Sequence, residues 1–520
     1  MKGFDDMKLN RANIQKPAPW LEKGYRLPKF DIEDMVEKTN AEPIWLHMGA
    51  GNIFRIFPAM MQQDLLEAKL TDRGIFVCEC YDEEIIPSAF EPHDNLTLAV
   101  TLLPSGDTKK SVVASIAGAF SLPKEKDRIN EIFTAPSLQM VTLTITEKGY
   151  TVNDPLNRDS IIGHVTDGCL ARYQAEAPPF ALVSLDNCSQ NGDVLKNALL
   201  STAKAWVQEG WAEEGFINYI STLAFPWTMI DKITPRPSAQ VAETLKVDGY
   251  EDTAIVQTKK NTFTASFVNA EEPQYLVIED NFPNGRPPLE KAGLLFTDRE
   301  TVEKFEKMKV CTCLNPLHTI LAIGGCLLGY SSIAEAMKDK HLVALVKKAA
   351  YEEAMPVVVN PKIVDPKDFL REVLEERLPN PFIPDTPQRI ACDSSQKIPV
   401  RFGETLKSRA AAGLPEEELE AIPFFFAMWL RYLIAVDDQG NPMELNPDPR
   451  LTELTEHLEG VYLGGPESEL SHLTPILSDA TIFGVNLYST ASGIIANRVK
   501  TIFDQLILKP GAVANALKNF

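Results

Sequence analysis

Pro43-Ile-Trp-Leu-His-Met48 runs directly into Gly49-Ala-Gly51-Asn-Ile-Phe-Arg55. A short apolar run closed by Gly-x-Gly and followed by helical apolar spacing from Ile53 to Ala68 reads as strand, glycine turn, helix. Such a turn lets the backbone approach a pyrophosphate, which the helix N-terminus then stabilises. Phe54 stands where the usual third glycine would be, so the turn alone also fits a bend that binds nothing.

Working outward, a second buried strand is expected over Gly74–Cys80, ending in the acidic cluster Tyr81-Asp-Glu-Glu84. A carboxylate at that point accepts hydrogen bonds from both adenosine ribose hydroxyls and repels a 2′-phosphate, which favours NAD over NADP. Asp82 is the candidate, with Glu79 behind it; the alternative is a solvated acidic turn. Further strand-like runs at Leu96–Leu103, Leu138–Ile145, Phe180–Leu185 and Tyr275–Ile278 alternate with helical stretches such as Gly192–Glu209. That alternation predicts an α/β domain over residues 1–299, a Rossmann-like, mostly parallel sheet preceded by an irregular N-terminal arm. From 300 to 520 strand signal fades, and helices are expected over Ile333–Ala350, Pro366–Arg377, Pro415–Ala435 and Ser492–Leu506. This all-helical domain is expected to hold substrate and catalytic groups. Its aromatic run Phe424-Phe-Phe-Ala-Met-Trp-Leu430 reads as core, and Asp437-Asp-Gln-Gly-Asn-Pro442 as a turn, lacking the Gly and closing Glu of a calcium loop.

Composition narrows the classes. A chain of 520 residues is too long for one compact core and fits two large domains, or three. The formal charge of −21 argues against nucleic acid or an anionic membrane as a partner. No stretch reaches roughly 18 consecutive apolar residues, and Thr319–Tyr330 is interrupted by three glycines, as in a buried helix. The N-terminus lacks an apolar signal core, so a cytoplasmic protein is expected. The eight cysteines, including the pairs Cys78/Cys80 and Cys311/Cys313, lack zinc-ribbon spacing and read as free thiols. No metal is expected.

Lys309, Asn315 and His318 enter a strongly apolar segment, where polar groups need partners or a task. A partly desolvated Lys exchanges protons near neutrality, Asn donates to a developing alkoxide, and His holds a neighbouring hydroxyl. Alone, Asn-Pro-Leu-His at a helix start also reads as a cap. The one Tyr-x-x-x-Lys considered, Tyr25 to Lys29, contains Pro28 and does not suit a short-chain dehydrogenase site, and zinc alcohol dehydrogenase chemistry lacks a ligand set.

Several blocks in order sharpen the reading: Gly49–Arg55, Leu143-Thr-Ile-Thr-Glu147-Lys-Gly-Tyr150, Ser184-Leu-Asp-Asn187-Cys-Ser-Gln-Asn-Gly192, and Phe225-Pro-Trp-Thr-Met-Ile-Asp231-Lys-Ile-Thr-Pro235. Phe282-Pro-Asn-Gly-Arg286-Pro287, the Lys309 stretch and Arg389-Ile-Ala-Cys-Asp-Ser-Ser-Gln-Lys397 complete them. Together they resemble the mannitol dehydrogenase family of long-chain polyol dehydrogenases. The resemblance implies metal-independent hydride transfer between NAD(P) and a secondary alcohol or ketone. It implies Lys309 as general acid/base, Asn187 and Asn315 as donors to the reacting oxygen, and His318, Arg389 and Lys397 as substrate-binding residues. Glu306 matches a carboxylate that communicates with the lysine, and Glu147 lies in a block lining the same cleft. Gly49, Gly51, Asn52, Ile53 and Arg55 match the cofactor turn, and Asp231 matches the nicotinamide end.

One departure carries a geometric prediction. The family pattern is Lys, four residues, Asn, two residues, His, whereas five residues separate Lys309 from Asn315. At roughly 100° per residue a regular helix would place Lys309 and His318 about 180° apart instead of about 80°. Single insertions are commonly absorbed as π-bulges, so a π-bulge is expected between Val310 and Leu314. Arg389, Lys397 and the additional Arg401 are candidate cations for a substrate carboxylate, polyol members of the family sharing the first two, and with insertions longer than expected of mannitol enzymes the reading is a sugar acid, the D-fructuronate/D-mannonate pair. Mannitol/fructose and tagaturonate are the alternatives, and a nucleotide-binding protein without turnover is the reading from another class. Oligomeric state is not determined by these features.

Overall fold

The computed structural model describes residues 7–122, 124–465, 472–489 and 493–520. The chain divides into two compact units, Met1–Glu303 and Lys304–Phe520.

In the first unit the glycine turn joins β1 (Trp45–Met48) to α1 (Asn52–Ile56). The helical spacing continues to Ala68, but the helix breaks at Phe57 and resumes as α2 (Pro58–Glu67). Pro58 has no N–H and restricts the backbone of the residue before it, and Phe57 is driven to φ −120°. β2 (Ile75–Glu79), β3 (Ile116–Ser121), β4 (Met140–Leu143) and β5 (Ala181–Ser184) complete a parallel sheet of order β3-β2-β1-β4-β5. A single parallel bridge from Ala181 to Ala224 begins a sixth position beside β5.

Both faces of this sheet are covered. Leu46, Met48, Phe76, Val141, Leu143 and Leu182 share one core with Phe133, Val165, Leu199 and Trp206 from the crossover helices. Trp45, Ile75, Val77, Met140 and Val183 share the other with Phe54 of α1, Phe57 at the break and Leu65 of α2. Strands buried on both faces show continuous apolar runs, which is why they were readable as runs rather than alternations. Each such large side chain contributes roughly 1.5–3 kcal/mol by leaving water.

The expected runs at 96–103 and 275–278 are strands of other, mixed sheets. Thr97–Leu102 pairs antiparallel with Thr108–Val113 and parallel with Phe267–Glu271. Tyr275–Glu279 pairs antiparallel with Thr228–Asp231 and parallel with Leu295–Thr297. The N-terminal arm is more regular than its polarity suggests: it contains helices Arg11–Ile14, Pro17–Glu22 and Ile32–Ala41, and Trp20 is fully buried.

The second unit is helical; among its described residues the one β feature is a bridge from Val436 to Pro442, around the Asp437 turn. Helix Ala421–Tyr432 is buried at every position, with Phe425 stacked on Phe402 at 4.3 Å. The helix expected over 333–350 is split, because Asp339 caps a new start at Lys340 by accepting from the amides of His341 and Leu342. The helix expected over 415–435 begins at Ala421. That expected over 492–506 occupies Ile494–Ile507, and Ser492 lies outside the described residues. Among the described residues four helices contain π-helical segments: Lys309–Cys313, Ala349–Ala354, Val373–Arg377 and Pro399–Gly403. The helical run Arg299–Leu328 has the length and composition to cross a membrane, and 78% of its most apolar window is buried inside the protein, as in a core helix.

Candidate active site

In the first unit the carboxyl ends of β1, β4 and β5 lie side by side where the strand order reverses, the place at which open α/β sheets bind ligands. Gly49 adopts φ +111°, and a Cβ there would stand 2.3 Å from the Thr144 carbonyl oxygen. Only glycine lets the turn pack so closely on the end of β4. A Cβ at Gly51 would meet nothing within 4 Å, so the backbone ahead of Asn52 and Ile53 faces open space. A dinucleotide pyrophosphate fits that combination of exposed backbone and helix start.

Below the turn, His47 is sealed between Thr142 Oγ1 at 2.6 Å and Thr144 Oγ1 at 2.9 Å, and its ring stacks on Phe54 at 4.0 Å. Burial pushes its pKa down to about 3. At the end of β5, Asp186 accepts from the amides of Ile145 and Thr146 and from the Tyr150 hydroxyl at 2.7 Å. It ties the β4 and β5 ends together, and burial raises its pKa despite those bonds. Asn187, next in the chain, is exposed, as is Glu147 on the short helix Thr146–Gly149. Asp231 closes strand Thr228–Asp231 and is buried.

Two expected cofactor residues are placed otherwise. Arg55 is fully buried, donating to Thr97 Oγ1 at 3.0 Å and to the Ala265 carbonyl at 2.9 Å. Its guanidinium therefore braces the mixed sheet rather than facing the turn, and burial lowers its pKa to about 10. Asp82 is 2% exposed, and its Oδ2 accepts from the Thr258 hydroxyl at 2.6 Å. The hairpin around Thr258 turns this carboxylate inward, away from the open position expected of a ribose reader. Glu79 is likewise occupied, accepting from the amides of Ala50, Tyr81 and Asp82.

In the second unit the expected bulge is present. Lys309–Cys313 is π-helical, and the Leu314 amide donates to the Lys309 carbonyl five residues back at 3.1 Å. Pro316 offers no N–H to the turn before it, and the Cys311 carbonyl is satisfied from outside the helix by the Thr405 hydroxyl at 3.1 Å. Lys309 is buried, at 8% exposure, and Glu306 half-buried. Asn315 opens the helix Asn315–Leu328, and its carbonyl accepts from Thr319 Oγ1 at 2.8 Å.

One turn on, His318 is largely enclosed. Its Nε2 stands 3.3 Å from Asp385 Oδ2 without the alignment of a hydrogen bond, so the distance marks an electrostatic neighbour and the nitrogen remains unbonded. Burial pushes the His318 pKa down to about 4; Asp385 opposes this, and Arg401, Arg389 and Arg377 reinforce it. The imidazole is therefore neutral at physiological pH. Asp385 also pairs with Arg389 across one helical turn. Lys397 donates to the carbonyls of Ile390 (3.1 Å) and Cys392, and burial together with Arg401 lowers its pKa. The fold thus gathers Asp385, Arg401, Arg389 and Arg377 around His318, with Lys397 near Arg401 and Arg389; Asp385 is a residue that the sequence did not single out, and its loop, Pro379-Asn-Pro-Phe-Ile-Pro-Asp385, carries no motif. Among the described residues no group of three or more His, Cys, Asp or Glu side chains is arranged to hold a metal ion.

Comparison with known proteins agrees across both units. The profile of the mannitol dehydrogenase Rossmann domain matches residues 43–291, and that of the mannitol dehydrogenase C-terminal domain matches 301–492. The chain is 46% identical to D-mannonate oxidoreductase of Thermotoga maritima, covering 98% of each. It is 32% identical to mannitol 2-dehydrogenase of Aspergillus fumigatus, covering 91% of this chain and 93% of the relative. Among solved structures, D-sorbitol dehydrogenase in substrate-free form shares the fold with a TM-score of 0.76 at 23% identity, over 94% of this chain and 97% of the other. Pseudomonas fluorescens mannitol 2-dehydrogenase in complex with NAD and D-mannitol does so with a TM-score of 0.70 at 24% identity, over 99% of both.

Proposed function

This chain belongs to the mannitol dehydrogenase family, and from that premise we propose that it is an NAD-dependent oxidoreductase interconverting D-mannonate and D-fructuronate. When bound, the nicotinamide supplies the acceptor or donor of the hydride. The chain's own tasks are to hold the sugar acid and to move one proton. In the oxidative direction Lys309 takes the proton of the reacting hydroxyl; in the reductive direction it returns one to the carbonyl oxygen. Asn315 and Asn187 donate to that oxygen as charge develops on it. Arg389 and Lys397 hold the remainder of the substrate, Glu306 is the carboxylate that communicates with Lys309, Glu147 is a substrate-binding residue, and Asp231 serves the nicotinamide end.

The observation that carries this reading is the His318 ring, enclosed, neutral and with Nε2 unbonded, on the helix that follows the buried Lys309. A buried polar nitrogen without a partner needs one, and a substrate hydroxyl beside the reacting carbon supplies it. The 46% identity to D-mannonate oxidoreductase supports the sugar-acid pair over mannitol. For the cofactor, NAD is the reading taken from the acidic end of β2, although Glu79 and Asp82 are themselves bonded within the fold and Lys259 and Lys260 reach the same turn through Glu84 and the Tyr81 carbonyl. The eight free thiols suit the reducing cytoplasm in which we place the protein.

The deciding assay follows NADH and NADPH oxidation with D-fructuronate, D-tagaturonate and D-fructose side by side. Fructuronate with NADH is expected to turn over fastest. Fast turnover of fructose alone would sink the substrate assignment, and NADH binding without turnover of any of the three would sink the enzymatic one.

A further inference from the structure

Arg401 differs from Arg389 in having no ion pair among the described residues, and from Lys397 in that most of its donors are left over. It sits in the π segment Pro399–Gly403, which packs on the π segment Lys309–Cys313. Its Nη1 donates to Thr319 Oγ1 at 2.5 Å and, at 3.4 Å, to the Asn315 carbonyl. Thr319 in turn donates to that same carbonyl. These bonds hold the guanidinium against the turn that carries Asn315 and His318, using one of its three nitrogens. Nε and Nη2 make no hydrogen bond among the described residues, and neither is sealed from solvent as the orphaned buried atoms elsewhere are.

The neighbours are differently placed. Arg389 is paired with Asp385, and Lys397 spends its ammonium on two backbone carbonyls. Arg401 makes no ion pair among the described residues, and burial lowers its pKa to about 10 with no carboxylate offsetting the loss. A half-buried guanidinium with a free fork and no counter-ion is suited to a carboxylate, which it binds through two parallel N–H···O bonds. A neutral polyol would leave the charge uncompensated.

We infer that Arg401 binds the carboxylate of the substrate and is the residue by which this chain distinguishes a sugar acid from a neutral polyol. Arg389 and Lys397 then hold hydroxyls that both kinds of substrate share. The inference rests on the sugar-acid reading above, and assigns it to one side chain.

The test is calorimetric binding of D-mannonate and of D-mannitol to the NAD-loaded chain, for the natural sequence and for Arg401→Met and Arg401→Lys. The natural chain is expected to bind mannonate at least about tenfold more tightly than mannitol, as charge-assisted hydrogen bonds predict. Arg401→Met is expected to weaken mannonate binding about 10- to 100-fold while moving mannitol less than about threefold, and Arg401→Lys, which keeps the charge and loses the fork, to fall between. Unchanged mannonate affinity in a folded Arg401→Met protein overturns the inference. An equal loss of both ligands also overturns it, since Arg401 would then only brace the Asn315 turn. Should Arg401→Met not fold, Arg401→Lys decides: a selective loss for mannonate supports the anchor, and equal affinity rejects it. Arg401-dependent mannonate binding without fructuronate turnover leaves the anchor standing and removes the redox reading. Fructuronate turnover with mannonate binding indifferent to Arg401 does the reverse.

Discussion

The two units place function in opposite ways. The first works by leaving side chains out: Gly49 and Gly51 clear the end of β1, and the adjoining carboxylates Glu79 and Asp186 are consumed holding backbone amides in position. The second works by putting charged side chains in, and it does so from distorted helices. Lys309, Arg377 and Arg401 all lie in π-helical segments. A π turn admits one more residue than the α-helix and changes the direction in which side chains leave it, at the expense of a carbonyl that must find another donor. Thr405 meets that need for Cys311. A ligand that is recognised through its backbone partner requires space at a strand end; a ligand recognised through charge requires side chains aimed where a regular helix would not send them.

That contrast can be broken or sharpened by substitution. The largest effect is expected at Lys309: Lys309→Met should lower kcat by roughly 10²–10⁴-fold, the range for a general acid/base, while NADH affinity measured by fluorescence stays within about twofold of the natural chain's. A full loss of NADH binding would instead make Lys309 structural. In the first unit, Gly49→Ala combines a positive φ with a Cβ driven against the Thr144 carbonyl. It should destabilise the chain by roughly 3 kcal/mol and weaken NADH, read from denaturant unfolding and from binding; a wild-type midpoint would contradict the claim that the turn needs glycine.

A third test is acidification. His47 titrates at about 3 in the folded chain, below the unfolded value of about 6.5, so the unfolded state binds more protons between those limits. Stability is therefore full above pH 6.5 and falls as pH drops toward 3, by about 2 kcal/mol at pH 5 for this one group. His318, at about 4, adds a loss of the same sign over a narrower window. Urea unfolding at pH 7 and pH 5 measures the sum, and His47→Gln should flatten the difference; an unflattened slope would show that His47 is not its source. The smallest effect is expected at the bulge: Thr405→Val leaves the Cys311 carbonyl without its donor and should cost about 1 kcal/mol, with kcat falling more than NADH affinity if the bulge aims Lys309. No change in either would mean that the segment holds its shape without Thr405.

Much of this was legible. The parallel strands announced themselves because both faces are buried, and the bulge was readable as one surplus residue between Lys309 and Asn315, displaced by one position from where it formed. The illegible parts share a cause. Arg55 stands in a cofactor block, yet its direction is set by Thr97 and Ala265, 42 and 210 residues away. Asp82 stands at the end of the second strand, yet Thr258 from a distant hairpin claims its carboxylate. Asp385 sits in a proline-rich loop without a motif and acquires its place only beside His318.

The sequence by itself determined the order of strand, glycine turn and helix, the change from sheet to helices near residue 300, and the family, because these depend on local pattern and on residues in fixed succession. The tertiary structure alone decided which polar groups are spent on the fold and which are left for a ligand. Hydrogen bonds and ion pairs are settled by neighbours brought together across hundreds of residues, and a guanidinium bonded to backbone carbonyls, as in Arg55, is written with the same letter as one whose fork is free, as in Arg401.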